Sequence, residues 1–395
     1  MKIIPFLALT WLVLSCSFYK THQRDKVQHS CTCDLTELEV IQQDSTCWSR
    51  AGITNLFVPS QERPLRDTLS PLSEIQIQLD QLAQKGGGTL IVPKGRFTIN
   101  AVVRIPSNVS LVGISPQQSI FEIKLKETFD KSRHWMSPKG NSAAFIFDHS
   151  VNSSIENLTL LYNPVDFEPL DFDDFDHPWV REVFHEDDKR AVDLFVTTVW
   201  FEHAENCLLT NCKILNAGND PIRIRNSRHI TCSHNTIDRA YNKSGGGAGY
   251  YNLINSSYCL LYKETVSRIR HLSIHKSSSY NVVYGCDLEV DVNFHNGDLG
   301  HNLIENNQIR IPHWHSWRCF GTGDPSQHLQ PGPFNVLFKN YTDYKGTGYE
   351  TDPTVLYFMA NYFPDRSKGE SKLIATDFAQ WFRNGIYDPT AARRE

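Results

Sequence analysis

Short apolar runs of two or three residues, each closed by a polar or turn residue, recur through most of this chain. Ahead of them, Leu72, Ile75, Leu79 and Leu82 keep a helical spacing, and Gly86-Gly87-Gly88 ends the helix they predict. Short strands follow: Thr89 to Ile99 around a Pro93-Lys94-Gly95 turn, Val102 to Ile105, and Asn108 to Gly113. Later segments repeat a single pattern of a polar residue, three mostly apolar positions, a turn residue and another strand. They are NCLLTNCKI (206–214), HITCSHNTI (229–237), YCLLYKETV (258–266), NVVYGCDL (281–288), NLIENNQI (302–309) and NVLFKNYT (335–342), mostly about 20 to 30 residues apart. A unit of that length cannot bury its own apolar face, so stacking on its neighbours is obligatory and the array forms one cooperative domain.

The run GGGT, three apolar residues, then P-x-G-x-F across residues 86–97 resembles the N-terminal cap and opening coils of the pectate-lyase-like right-handed parallel β-helix. The resemblance implies an all-β solenoid with an N-terminal capping helix. Residues 70–348 form that solenoid in this reading, interrupted by insertions at 162–190 and 312–333. The first insertion is acidic and aromatic and reads as a solvated lid, since it has no EF-hand order of oxygen ligands. The second carries His313, Trp314, His315, Trp317, Arg318 and His328. Residues 349–395 leave the repeat and are expected to pack on the solenoid as a C-terminal extension, and 17–69 read as a tether and N-terminal extension.

Period-2 alternation assigns a face to each strand residue. With Ile222, Ile224, Tyr251, Leu253, Leu272, Ile274, Val292 and Phe294 inward, the outward face collects Arg223, Arg225, Tyr250, Asn252, His271, His275, Asp291, Asn293 and His295 on four successive coils. Lys276 joins from the turn. Three histidines stacked with Asp and Arg suit proton transfer or ligand binding better than they suit a plain solvated surface.

Two chemistries fit. A lyase acting on a uronic acid needs a base for the proton at C5, an acid for the leaving oxygen, and positive charge opposite the carboxylate. His275, Lys276 or His295 can be the base, Tyr250 or a histidine the acid, and Arg223 or Arg225 the carboxylate clamp. A glycoside hydrolase needs two carboxyl groups, and the candidates are Asp291 with Asp220 or Glu202, with Asp298 further along. Residues 275–309 are similar to the catalytic coils of polysaccharide lyase family six, the alginate and chondroitin lyases, where a KSxxN turn is followed one coil later by an LRHG strand. By that resemblance Lys276 corresponds to the lysine base and His295 to the histidine beside the catalytic arginine, while Phe294 stands where the arginine should be. The resemblance also brings calcium into consideration. From the residues alone no cofactor follows: His271, His275, His295 and Asp291 are of types that ligate divalent metals, but no spacing motif marks a site. Trp314 and Trp317 offer rings on which sugars commonly stack; with Asn252, His271 and Asn293 they complete the expected substrate contacts. A non-catalytic glycan-binding surface protein is the third reading.

Charge and cysteines narrow the setting. The 39 basic and 44 acidic side chains leave a formal charge of −5, so no general positive field exists to hold nucleic acid. Lys2 and the apolar run Ile3 to Leu14 read as a signal segment, too short to span a bilayer. Val13-Leu14-Ser15-Cys16 resembles a bacterial lipobox, which implies an exported outer-membrane or cell-surface lipoprotein held to the membrane by lipid on Cys16; the alternative is simple export to the periplasm or the medium, and a monomer is expected in either case. Of ten cysteines, Cys207, Cys212, Cys232, Cys259 and Cys286 fall inside the repeats and read as small core residues. One disulfide among Cys31, Cys33 and Cys47 is expected in an oxidising compartment.

Overall fold

A computed structural model describes residues 37–70, 74–125, 142–163, 196–241, 243, 248–310, 319–323, 326–342 and 356–359, the last of these by backbone only. The expected signal segment, the lipobox at Cys16, the acidic insertion, Trp314, Trp317 and nearly all of the C-terminal extension lie outside these residues. The chain winds as a right-handed parallel β-helix, the hand that parallel crossovers take. Three sheets run its length, with eleven, nine and eight strands among the described residues. The first begins with Arg66–Thr68 and Gly88–Val92, the second with Gly95–Ile99, and the third with Val103–Arg104.

Neighbouring strands pair in register. Ile222, Tyr251, Leu272, Val292 and Phe320 form one inward column of the third sheet, and Ile224, Leu253, Ile274 and Phe294 the next. All of them are buried in one continuous core. The helix Ile75–Gln84 closes the N-terminal end with Leu79 and Leu82 buried. Gly87, at φ +117°, ends it where a Cβ would lie 2.4 Å from the Asn108 carbonyl oxygen.

The corner after each of the six inner strands of the third sheet is a left-handed residue, in turn His149, His203, Asn226, Asn255, Lys276 and Asn296. Polar ladders then tie the corners together. Ser256 Oγ accepts the Ser227 amide and Ser278 Oγ the Ser256 amide, each at 3.1 Å. Asn281, Asn302 and Asn335 link through their side chains at 3.0 and 2.9 Å. These bonds satisfy backbone groups that the turns leave unpaired inside the protein.

From Leu260 onward the first sheet is apolar on both faces, which explains its unbroken apolar triplets there, whereas earlier coils place Thr89, Ser110, Ser154 and Thr231 in the same outer column. Its outer side, with Leu260, Val282, Leu303 and Val336, packs under Ile41, Trp48 and Ala51. Residues 37–48 form a helix there, anchored by Trp48 Nε1 donating to the His301 carbonyl and by His301 Nδ1 on Asp44 Oδ2, both at 2.7 Å. Cys207, Cys212, Cys232, Cys259, Cys286 and Cys319 are buried free thiols, and Cys47 is a half-buried one. Burial pushes the Cys207 thiol up to about 12, so it stays protonated and unreactive.

Candidate active site

The outer face of the third sheet carries the polar side chains that alternation predicts. They are not open to solvent, however. Tyr250, Asn252, His271, Ser273, His275, Asp291 and Asn293 are all buried, and His295 is partly so. Burial makes every polar group here costly unless it is bonded.

Three linked clusters result. In the first, Asp220 Oδ2 receives Arg223 Nε at 2.8 Å and Asn252 Nδ2 at 3.2 Å, while its Oδ1 receives the Tyr250 amide at 2.9 Å. Asn252 Oδ1 lies 2.6 Å from His275 Nε2. The second centres on Asp291, 2.6 Å from His271 Nδ1 and bonded to Asn293 Nδ2 at 3.2 Å. The Tyr250 ring meets His271 edge-on at 4.9 Å, and the Arg270 guanidinium lies 5.9 Å from the Tyr250 ring centre. In the third, His295 lies 5.8 Å from His275 and 4.2 Å from His328, ring centre to ring centre.

Among the described residues, Ser273 Oγ, His275 Nδ1, Asn293 Oδ1 and His295 Nδ1 are buried polar atoms of these clusters with no hydrogen-bond partner. Ser273 pairs with Asn293 and His275 with His295 across adjacent strands, so the four form a patch. The electrostatics keep its imidazoles neutral. Burial, then repulsion from His295, Lys276, Arg223 and His328, holds His275 well below its ordinary value. Burial, then His328, His271 and Arg270, against attraction from Asp291, brings His295 down to about 3. Tyr250 moves the other way: burial foremost, with Asp291 and Asp220, raises it against Arg270.

One coil toward the N-terminus, Trp200 lies between two guanidiniums, 4.8 Å from Arg223 and 4.9 Å from Arg225. Its Nε1 donates to Glu202, which also receives Arg225 Nε and Asn226 Nδ2. The expected clamp residues Arg223 and Arg225 are therefore both already paired with carboxylates; the Arg225 side chain keeps 38% of its surface, Arg223 only 12%. Lys276 is exposed at its corner with φ +49°, next to Ser277 at +65°, a conformation that Asn or Gly takes with less strain. Phe294 is fully buried in the solenoid core, so its position contributes no charge to the face. Among the described residues no group of three or more His, Cys, Asp or Glu side chains is placed to hold a metal ion. Sequence reasoning missed Trp200 and Arg270, and it placed His328 only in an insertion. Continuing the strand alignment one coil upstream, to VWFEH, would have found Trp200.

No family model matches the chain, and no curated protein matches its sequence. Among solved structures it is similar to a DFA-IIIase from Arthrobacter chlorophenolicus A6, at 11% identity over 72% of this chain and 67% of that one, with a TM-score of 0.47. It is similar to a hyperthermoactive exopolygalacturonase from Thermotoga maritima, at 13% identity over 81% and 90%, TM-score 0.44. A pectin methylesterase from Erwinia chrysanthemi is similar at 11% identity over 83% and 98%, TM-score 0.43.

Proposed function

We propose that this chain is a carbohydrate-active enzyme that cleaves a uronic-acid-containing polysaccharide by β-elimination. The observation that carries this reading is the patch of four unpartnered polar atoms beside two neutral imidazoles. A buried group without a partner is costly, and a polar ligand that displaces what covers these atoms would supply what is missing. His275 Nδ1, uncharged at neutral pH, takes the proton from C5 of the sugar ring. The electron pair forms the C4–C5 double bond as the bond from C4 to its glycosidic oxygen breaks. Tyr250, which burial keeps protonated, gives its proton to that oxygen. Arg225 and Lys276 supply positive charge for the uronate carboxylate.

Hydrolysis has less support, because its carboxylates are already engaged: Asp220 with Arg223 and Asn252, Asp291 with His271 and Asn293, Glu202 with Arg225, Trp200 and Asn226. Asp298, raised by burial to about 6, is tied to the Gly300 amide and Asn335 in the corner ladder. We place the enzyme outside the cytoplasm, exported by the Ile3 to Leu14 segment and anchored by lipid on Cys16. An unmodified Cys16 in the mass spectrum of the native protein would remove the anchor.

The test is to offer the protein alginate, polygalacturonate, chondroitin sulfate and ulvan while following both reducing ends and the ultraviolet absorbance of unsaturated uronate. A lyase raises both together. Reducing ends without absorbance would establish hydrolysis instead, and neither signal with retained glycan binding would leave a binding protein. On an active substrate, His275→Ala is expected to lower kcat about 100-fold or more at an unchanged melting temperature.

A further inference from the structure

The hydrogen bonds behind His275 have a forced direction. Asp220 is a carboxylate, so both its oxygens accept; Arg223 and the Tyr250 amide already donate to it. Asn252, 3.2 Å from Asp220 Oδ2, must therefore turn its amide NH2 toward the carboxylate. Its carbonyl oxygen is then the atom 2.6 Å from His275 Nε2. An oxygen that only accepts requires that nitrogen to carry the proton, and Nδ1, which has no partner, is left as a bare lone pair. We infer that Asp220 and Asn252 act together as positioning residues that hold His275 in the tautomer with its proton on Nε2, so that Nδ1 faces the ligand patch as a proton acceptor.

The same strand contains the opposite arrangement. His271 presents Nδ1, not Nε2, to its partner Asp291 at 2.6 Å, so the proton held in the hydrogen bond is on Nδ1 in His271 and on Nε2 in His275. The difference follows from what each nitrogen faces. A carboxylate beside an imidazole attracts a second proton, whereas a neutral amide orients the ring without adding negative charge. Inserting Asn252 between Asp220 and His275 passes on the orientation and withholds the charge. The groups nearest His275, namely His295, Lys276, Arg223 and His328, all oppose its protonation. The anchor itself is rigid: Arg223, packed over Trp200, grips Asp220 through Nε and Nη2, both 2.8 Å from Oδ2. Three adjacent coils thus contribute one member each to a chain running from carboxylate to amide to imidazole.

The tautomer itself is independent of substrate; its use as a base rests on the β-elimination reading above. Nitrogen-15 NMR of histidine-labelled protein without substrate reads it directly. His275 is expected to show protonated Nε2 and bare Nδ1 at neutral pH and to stay so as pH falls through the ordinary histidine value of 6.5. In Asn252→Leu and Asp220→Asn the fixed tautomer gives way to a mixture, and on an active substrate kcat falls about 100-fold with KM nearly unchanged. A proton on Nδ1 in the wild-type protein overturns the inference whether or not the variants fold. So does a wild-type imidazole signature in Asn252→Leu. If the expected tautomer is found and no substrate yields unsaturated product, the positioning stands and β-elimination falls.

Discussion

A methyl group added at Gly323 would lie 2.7 Å from His328 Cδ2 and 2.8 Å from His295 Nδ1, closer than real Cβ contacts come. Gly323→Ala must therefore move one of two rings whose centres lie 4.2 Å apart, without opening a cavity. The expected result is a kcat reduced about tenfold or more with little change in melting temperature, since displacing a positioned group costs rate before stability. Full activity would show that His295 takes no part. At this scale the outward residues were legible, because period 2 leaves them no other face. Their partners were not. Asp220 precedes its strand and Arg270 precedes another, so alternation gives neither a face; Asp220 meets this one through Arg223 and Asn252, and Arg270 through Tyr250. Phe294 illustrates the limit of resemblance: aligned with an arginine by local similarity, it obeys the alternation instead and is buried.

The strands hold together by their corners as well as their faces. Asn302 is fully buried; its Oδ1 accepts from the Asn281 backbone and side chain, and its Nδ2 donates to Asn335 Oδ1 and the Gly300 carbonyl. Asn302→Ala leaves several of these groups without partners in a fully buried site. A loss of about 1–3 kcal/mol is expected in urea unfolding. A change below a few tenths would mean that the ladder relaxes around the gap. The repeat segments foretold these strands because each coil must bury alternate residues against the next. The helix Glu37–Trp48 was not foretold. Its sequence ELEVIQQDSTCW has little apolar periodicity of its own, and it is held by a sheet face assembled from residues more than 200 positions away.

Across the whole molecule, buried ionisable groups set how stability responds to pH. Glu264 lies in the corner ladder between Asn235 and Cys286, and burial raises it to about 8 against the bonds from Asn235 and Tyr251. Its ordinary value is 4.5, so between 4.5 and 8 the folded chain holds a proton that the unfolded chain has released. Its contribution to stability is full below 4.5 and is lost as pH rises toward about 8. His275 and His295 act oppositely, since the unfolded chain binds their protons first, but that influence ends near the ordinary histidine value of 6.5. From there to about pH 8 Glu264 lowers stability by up to about 1.4 kcal/mol per pH unit, while buried Lys243, held well below its ordinary 10.5, acts in the opposite sense; Glu264→Gln should therefore gain stability relative to the wild type as pH rises. A difference between the two that does not change with pH would place the titrating group elsewhere. The sequence by itself determined the solenoid, its coil length and the outward columns, because burial on stacked strands is a local, periodic demand. Only the tertiary structure decided which imidazole is bonded through which nitrogen and which carboxylates are engaged. Those bonds join residues 20 to 32 positions apart on separate coils, at 2.6 to 3.2 Å, and no pattern along the chain sets distances that fine.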